Sequence, residues 1–407
     1  INTKVSQDID KINKLGHKIH ELNQQISKIE AGGIETAMDL RDERDLALDQ
    51  LGALAKISYK EDYKGVVTVK LEDEYFVDEL HTYEIGKKTD KLTGFITPYW
   101  PQLSDTDRDI YVNVFDFNVD ISTALNSDVG ELKALIMSRG DHWADYSDIE
   151  GKGEQEYLDT TNLSVIIDMQ AKLDQMVHNM ITAINDQLCP NVTGPVGVTY
   201  QDANGNTVNL SDAKVLDTEN CARGSDGELP PRELFVRAGI ERYTEVTGSD
   251  GKTYYVYNEE DTSDTSYMYS LTSCGVNEEL KKIETLFPHL KQNGEVDQQL
   301  GERLEALWNK DLVGLDPTDP DECNIEEYYQ KMIGGLATVG NVYQKKAENL
   351  AGSVLTIENN RQQVIGVSSD EELQNMIKFQ NAYNASSRFM TVISDMIEHI
   401  VTRLGNG

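Results

Sequence analysis

Few residues of this sequence stand at spacings that could do chemistry. His17, His20 and Glu21 share one helix face at i, i+3 and i+4, where two imidazoles and a carboxylate could hold a divalent metal. Their order is HxxHE, not the HExxH of zinc proteases, and the register around them turns both histidines away from the apolar seam. A solvated helix face is the expectation. Cys189, Cys221, Cys274 and Cys323 stand far apart with no CxxC pair. That argues against a zinc ribbon and leaves free thiols, or one or two disulfides, open. The Pro-broken run DLVGLDPTDPDE at 311–322 offers carboxylates for calcium. It lacks the EF-hand spacing and its glycine, so it reads as an acidic linker. Tyr254, Tyr255, Tyr257, Tyr267 and Tyr269 could stack on a sugar, but β-strand preference explains them more simply. There is no GxSxG, no GxxxxGK[ST] and no HExxH. The expectation is no enzyme, no cofactor and no metal.

The bulk properties narrow the partners. At 407 residues the chain should hold more than one domain. Its net charge of −34, with no basic patch, argues against nucleic acid and against an anionic membrane. No apolar run is long enough for a transmembrane helix, and no basic-then-apolar leader opens the chain. It begins at Ile1 within a helical pattern and without Met, as a fragment lacking an N-terminal segment would.

The strongest pattern lies in residues 361–404. Ser368 with Glu371, or Ser369 with Glu372, spells a capping box that starts a long helix. Met376, Tyr383, Met390, Ile397 and Leu404 recur at seven residues, and Phe379, Ser386, Ile393 and Ile400 follow three later. This is an a/d seam, widened by Leu373 and Ile377, on a helix that needs partners. We take Leu373, Met376, Phe379, Tyr383, Ser386, Met390, Ile393, Ile397, Ile400 and Leu404 as the candidate assembly interface. Periodicity alone does not separate self-association from packing within one bundle.

Other seams follow. Residues 1–30 carry Val5, Ile12, Ile19 and Ile26 with Leu15, Leu22 and Ile29, interrupted by Asp8. A second helix is expected at about 36–57. Strands are expected over 66–85 and 109–119, a helix from Gly130, and another over 163–188 with Ile166, Met169, Leu173, Met176, Met180 and Ile184 on one face. Asn204-Gly205 predicts a type I′ hairpin, and Asp250-Gly251 a second hairpin. Residues 278–310 read as helical with a break at Asn293-Gly294. A long helix over 325–360 carries Tyr329, Leu336, Tyr343, Leu350 and Ile357, with Met332 and Val339 three later. The fold class is α+β and multidomain, a long helical bundle or coiled-coil shaft built from both chain ends, with β-rich outer insertions. The expected division is 1–60 shaft, 61–128 small β region, 129–190 shaft, 191–275 β-rich insert, 276–324 helical segment and acidic linker, and 325–407 shaft with the terminal heptad helix.

The run GVSSDEELQNMIKFQNAYNASSRFMTVISDMIEHIV resembles the C-terminal segment of the flagellar hook-associated family, through Gly366, Val367, Ser368, Asp370, Glu371, Glu372, Gln380, Ala382, Tyr383, Ala385, Arg388, Asp395 and Met396. Rod and hook proteins share a looser form of its end. LNQQISKIEAGGIETAMDLRDERDLALDQLGALAKI is similar to a helix–Gly–helix segment of the same family, with Leu40, Arg41, Asp42, Arg44 and Asp45 on its pattern and Met38 departing from it. Gly130-Glu131-Leu132, Arg139 with Asp141, Asn185, and the Leu234-Phe235 strand match further family features. The resemblance implies a structural protein of the bacterial flagellum, exported by the type III route with a dedicated chaperone on its C-terminal helix. It implies a ring of protomers between the hook protein and the second junction protein, outside the cell. Two other readings stay open: another axial subunit of hook or filament type, and a carrier of an outer β domain with adhesin or glycan-binding activity.

Overall fold

A computed structural model describes residues 1–33, 36–116, 129–203, 205–365 and 369–404, the side chains at 364, 365, 369 and 399–404 excepted. It divides into two compact units, Ile1–Leu336 and Ala337–Gly407.

The first unit opens with α1 (Asn2–Glu30) and α2 (Met38–Leu54). Val5, Ile9, Ile12, Ile19 and Ile26 of α1 are fully buried, and Ala47, Leu48, Leu51 and Leu54 of α2 join the same core. Full burial of each large aliphatic contributes about 1.5–3 kcal/mol. Asp8, which breaks the heptad, is buried and tied to Lys4 at 2.6 Å, while Ile9 beside it takes the core position. Ile29, expected on the seam, is exposed at the helix end.

Strands β1 (Ile57–Glu61), β2 (Val67–Leu71) and β3 (Glu74–Val77) form an antiparallel sheet in that order. Val67, Val69 and Leu71 alternate inward, as the sequence pattern required. The second helix stops before Ile57, which begins β1 instead. A hairpin of β4 (Gly86–Thr89) and β5 (Ile96–Tyr99) follows. The expected strand at 109–119 is not formed over its described part, 109–116. There the chain only bridges, Ile110 pairing with Asp105 and Asn113 with Tyr99, and residues 117–119 lie outside the described set. Helix α3 (Glu131–Arg139) closes this core through Leu132 and Ile136.

A loop carrying α4 (Glu154–Asp159) leads to α5 (Val165–Leu188), whose N-terminus is capped by Ser164 Oγ accepting from the Ile167 N–H. The face buried on α5 differs from the expected one. Ile167, Ala171, Asp174, Gln175, His178, Ile181, Asn185 and Leu188 are buried, whereas Leu173 is exposed and Ile166 and Met169 are half-buried. Polar side chains that bond to distant backbone occupy this face, so hydrophobicity alone pointed elsewhere.

Beyond it lie short strands. These are β6 (Asn191–Thr193), β7 (Thr199–Gln201), β8 (Thr207–Asn209), β9 (Lys214–Leu216), β10 (Phe235–Arg237), β11 (Tyr243–Thr247), β12 (Thr253–Tyr257) and β13 (Cys274–Val276). The main sheet runs β11-β12-β9-β6; β10 pairs with β13 and β7 with β8. Both expected hairpins form. The first is not a two-residue turn: Gln201 pairs with Thr207, and Asp202 accepts from the Asn206 N–H across the wider loop. Residue 204 itself lies outside the described set.

The stretch expected to be helical over 278–310 holds only α6 (Glu278–Lys282) and α7 (Gln298–Ala306) with 3-10 turns. The turn at Gly294, with φ +82°, interrupts it. Two long helices end the chain, α8 (Ile325–Ile365) and α9 (Ser369–Leu404). The start of α8 is anchored by Tyr328 and Met332, not by the expected Tyr329, which is exposed. The capping box at 368–369 lies outside the described residues or side chains.

Candidate assembly interface

Helix α9 begins with Asp370, Glu371 and Glu372 in its first turn, where negative charge suits the helix dipole. Among its described side chains every residue is exposed except Ile393, which is half-buried. Met376, Phe379, Tyr383 and Met390 show 60–75% of their surface, and Leu373, Ser386 and Ile397 are exposed as well. Ile400 and Leu404 lie outside the described side chains. Apolar groups laid open at this density make α9 a candidate binding face.

The sequence reading missed the width of this face. Phe389 and Met396 repeat at seven residues one position before Met390 and Ile397, and both are exposed. Val392 is exposed too. An apolar stripe broader than a/d fits a helix packed by more than one neighbour. On α8, Leu336, Val339, Tyr343, Leu350 and Ile357 are likewise exposed, with Val342, Val354 and Leu355 beside them.

The first unit supports a different kind of site: polar locks that hold its elements in register. Glu30, at the end of α1, accepts from Ala37 N (3.0 Å), Arg41 Nε (2.8 Å) and Arg41 Nη2 (2.6 Å), while Arg41 Nη1 reaches Glu61 on β1 (2.6 Å). These bonds, the Arg41 guanidinium first, hold the Glu30 carboxyl down at about 2. Arg44 is buried. It donates to Gly65 O (2.6 Å) and Asn23 Oδ1 (3.2 Å), and Asn23 exchanges both backbone bonds with Val67. The family-like Arg41 and Arg44 therefore fasten α1, α2 and the first sheet together. Gly130 caps α3 at φ +100°, and a Cβ there would stand 2.7 Å from Ala55 Cα.

Asn185, fully buried near the end of α5, accepts from the Leu234 and Phe235 N–H groups and donates to Phe235 O (2.8 Å) and Glu233 (3.2 Å). Two separate family-like features thus meet in one lock. Burial pushes the Glu233 carboxyl up to about 7, against its bond from Tyr269 and the nearby Arg242 and Arg237.

The other candidate chemistry is placed as follows. His17 meets Glu84 at 2.6 Å, and His20 lies 3.3 Å from Asp78 O. Asp316 of the acidic linker is bonded to Lys172 (2.9 Å) and to its own Thr318 turn. Tyr257 and Tyr269 pack against the guanidinium groups of Arg237 and Arg242 within the fold. All four cysteines are free thiols, three of them buried.

Two long helices with open apolar faces end the chain, and before them a helix pair is locked onto a small sheet and followed by β-rich material. Residues 1–199 match the family model of the flagellar hook-associated protein FlgK helical domain, and 362–403 match that of the flagellar basal body rod FlgEFG protein C-terminal region. Flagellar hook-associated protein 1 of Bacillus subtilis (strain 168) is 23% identical over 97% of this chain, which spans 64% of that relative's length. The flagellar hook junction protein FlgK from Burkholderia pseudomallei, a solved structure, is 14% identical with a TM-score of 0.35, over 71% of this chain and 51% of that one. The chain is thus similar to flagellar hook-associated protein 1 over nearly its whole length, and to hook-associated and rod-type family models at its two ends.

Proposed function

We propose that this protein is a structural junction subunit that assembles with copies of itself into a ring and connects hook to filament. The observation that carries the reading is the broad apolar face of α9, exposed along its described length. A single helix carrying Met376, Phe379, Tyr383, Phe389 and Met390 in water is unfavourable, and neighbouring helices would remove that surface. The interface comprises Leu373 to Leu404 on the heptad positions, with Phe389, Val392 and Met396 added.

In this reading residues 1–60, 129–190 and 325–407 serve the helical shaft. Residues 61–128 and 191–275 are outer β regions, and 276–324 links back to the shaft. The work is assembly, not catalysis. The contacts are the hook protein on one side and the second junction protein on the other, outside the cell. Before assembly the same apolar face calls for a chaperone during export. The match at 362–403 to a rod-type segment also fits another axial subunit. The match over 1–199 and the relative covering nearly the whole chain favour the junction member.

The test is a deletion strain examined by electron microscopy and complemented with a tagged copy. Bare hooks with secreted, unattached flagellin, and label confined to the hook–filament boundary, are expected. Label along the whole filament would assign the protein to another axial class. Normal filaments in its absence would overturn the reading.

A further inference from the structure

Two of the four cysteines share one core. Cys189 caps the end of α5 and is fully buried, and Cys221 is 2% exposed. Both belong to the apolar cluster that Leu188, Leu216, Tyr243 and Leu300 complete. The backbone explains why they meet. Strands β6 and β9 pair antiparallel with Asn191 opposite Leu216, and one step further Asp217 N donates to Pro190 O (2.8 Å). Cys189 stands just before that link. On the other side Asp217 folds the chain back. Its side chain accepts from the Glu219 and Asn220 N–H groups, and its carbonyl from Cys221 N (2.9 Å). A disulfide spans Cα atoms roughly 4.4–6.8 Å apart, the scale of the separation between paired strands.

The two thiols differ in access. Cys189 Sγ donates one long bond to Pro231 O (3.5 Å), and the Tyr243 hydroxyl donates to the Cys189 carbonyl (2.9 Å). Cys221 lines a groove of about 740 Å³ with Asp186, Gln187, Asn220 and Arg303, so a small reagent approaches it first. Burial pushes both thiols up, and the Cys221 thiol lies near enough to add to the rise at Cys189. The other two cysteines stand elsewhere. Cys274 on β13 pairs with Arg237 of β10, and Cys323 packs with Leu315, Tyr328 and Met332.

We propose that Cys189 and Cys221 are a cross-linking pair, which a low-molecular-weight disulfide oxidises to a bond stapling the end of α5 to the turn after β9. The exchange balances in two steps. One thiolate, that of Cys221 in the folded chain, attacks a sulfur of the small disulfide, whose S–S bond breaks; one small thiol leaves with the proton. Cys189 then attacks the Cys221 sulfur of the mixed disulfide, gives up its own proton and releases the second small thiol. Two protein thiols are oxidised, and one small disulfide is reduced to two thiols. Because burial holds both thiols protonated, the exchange is faster while the chain folds than after it has folded. The bond closes the loop 189–221 and removes freedom mainly from the unfolded chain. The pair is independent of the junction reading. Only its timing, closure outside the reducing cell interior, rests on the export step of that reading.

In the test the full chain is unfolded and reduced, then refolded with oxidised and reduced glutathione over a range of ratios. Free thiols are counted in denaturant, and tryptic peptides are mapped without reduction. Wild type should lose two of its four thiols, and the peptides 173–214 and 215–223 should be recovered joined. Its melting temperature should stand about 5 °C above that of the same sample treated with dithiothreitol. Oxidised glutathione added to the folded, reduced chain should form the bond several-fold more slowly. Cys221→Ser should abolish both the joined peptides and the thermal shift, whereas Cys274→Ala with Cys323→Ala should keep both. The wild-type peptide map keeps the test sound if Cys221→Ser fails to fold. Four free thiols after refolding at every ratio, glutathione adducts without a 189–221 bond, a bond to Cys274 or Cys323 instead, or a 189–221 bond with no thermal shift would overturn the proposal. Each of these results leaves the junction reading standing.

Discussion

Asn185 shows what single residues contribute here. Replacing it with Ala would leave the Leu234 and Phe235 N–H groups and Phe235 O without their partner in a buried setting. Such losses cost about 2–4 kcal/mol together. Asn185→Ala should lower the urea midpoint accordingly, and an unchanged midpoint would remove the lock from the account. His142, between Asp141 and Asp148, carries a pKa raised from 6.5 to about 10, first by the bond to Asp141 and then by that to Asp148. A raised histidine stabilises the fold fully below pH 6.5, and that contribution fades as pH rises through 10. The wild type should therefore lose about 1 kcal/mol relative to His142→Gln across that window, because solvent screens a half-exposed site. Denaturation at pH 6 and pH 10 checks this, and parallel curves would contradict it. Asn185, Arg41 and Arg44 could be singled out in the sequence through resemblance. Their partners could not, because each bond reaches an element that sequence spacing does not connect. His142 carried no signal, since an Asp beside a His is common and Asp148 reaches it only through the loop's turn.

Among elements, legibility followed how the apolar residues are distributed. Helices α1, α8 and α9 and strand β2 have a clear period and were readable within a few residues. Strands β4 and β5 were missed because Gly86-Lys87-Lys88-Thr89 is polar and β5 contains Pro98. Helix α5 was found, but its buried face was misread because Asp174, Gln175, His178 and Asn185 occupy that face through tertiary hydrogen bonds. The start of α3 was marked by Gly130, and its positive φ and close approach to Ala55 explain why glycine stands there. Gly130→Ala should destabilise the first unit by more than about 2 kcal/mol, through strain and a forced shift of the α2 end. A melting temperature within a degree of wild type would contradict this.

At the scale of the whole molecule, the heptad patterns at both ends of the chain showed helices that need partners, and the class of protein was legible through the resemblance those ends carry. It did not show how wide the apolar face of α9 is, since Phe389, Val392 and Met396 fall outside a strict a/d seam. Nor did it reveal the cleft lined by Lys88, Arg139, Asp141 and His142, which forms only when α3, the β4–β5 hairpin and the loop before α5 meet. The central claim is that the face of α9 makes the junction. The most direct measurement introduces Tyr383→Asp with Met390→Asp into the full-length gene and uses it to complement a deletion strain. Electron micrographs should then show bare hooks, with flagellin secreted but unattached and the variant protein still folded and exported. Normal filaments of wild-type length on cells carrying only the double variant would contradict the account.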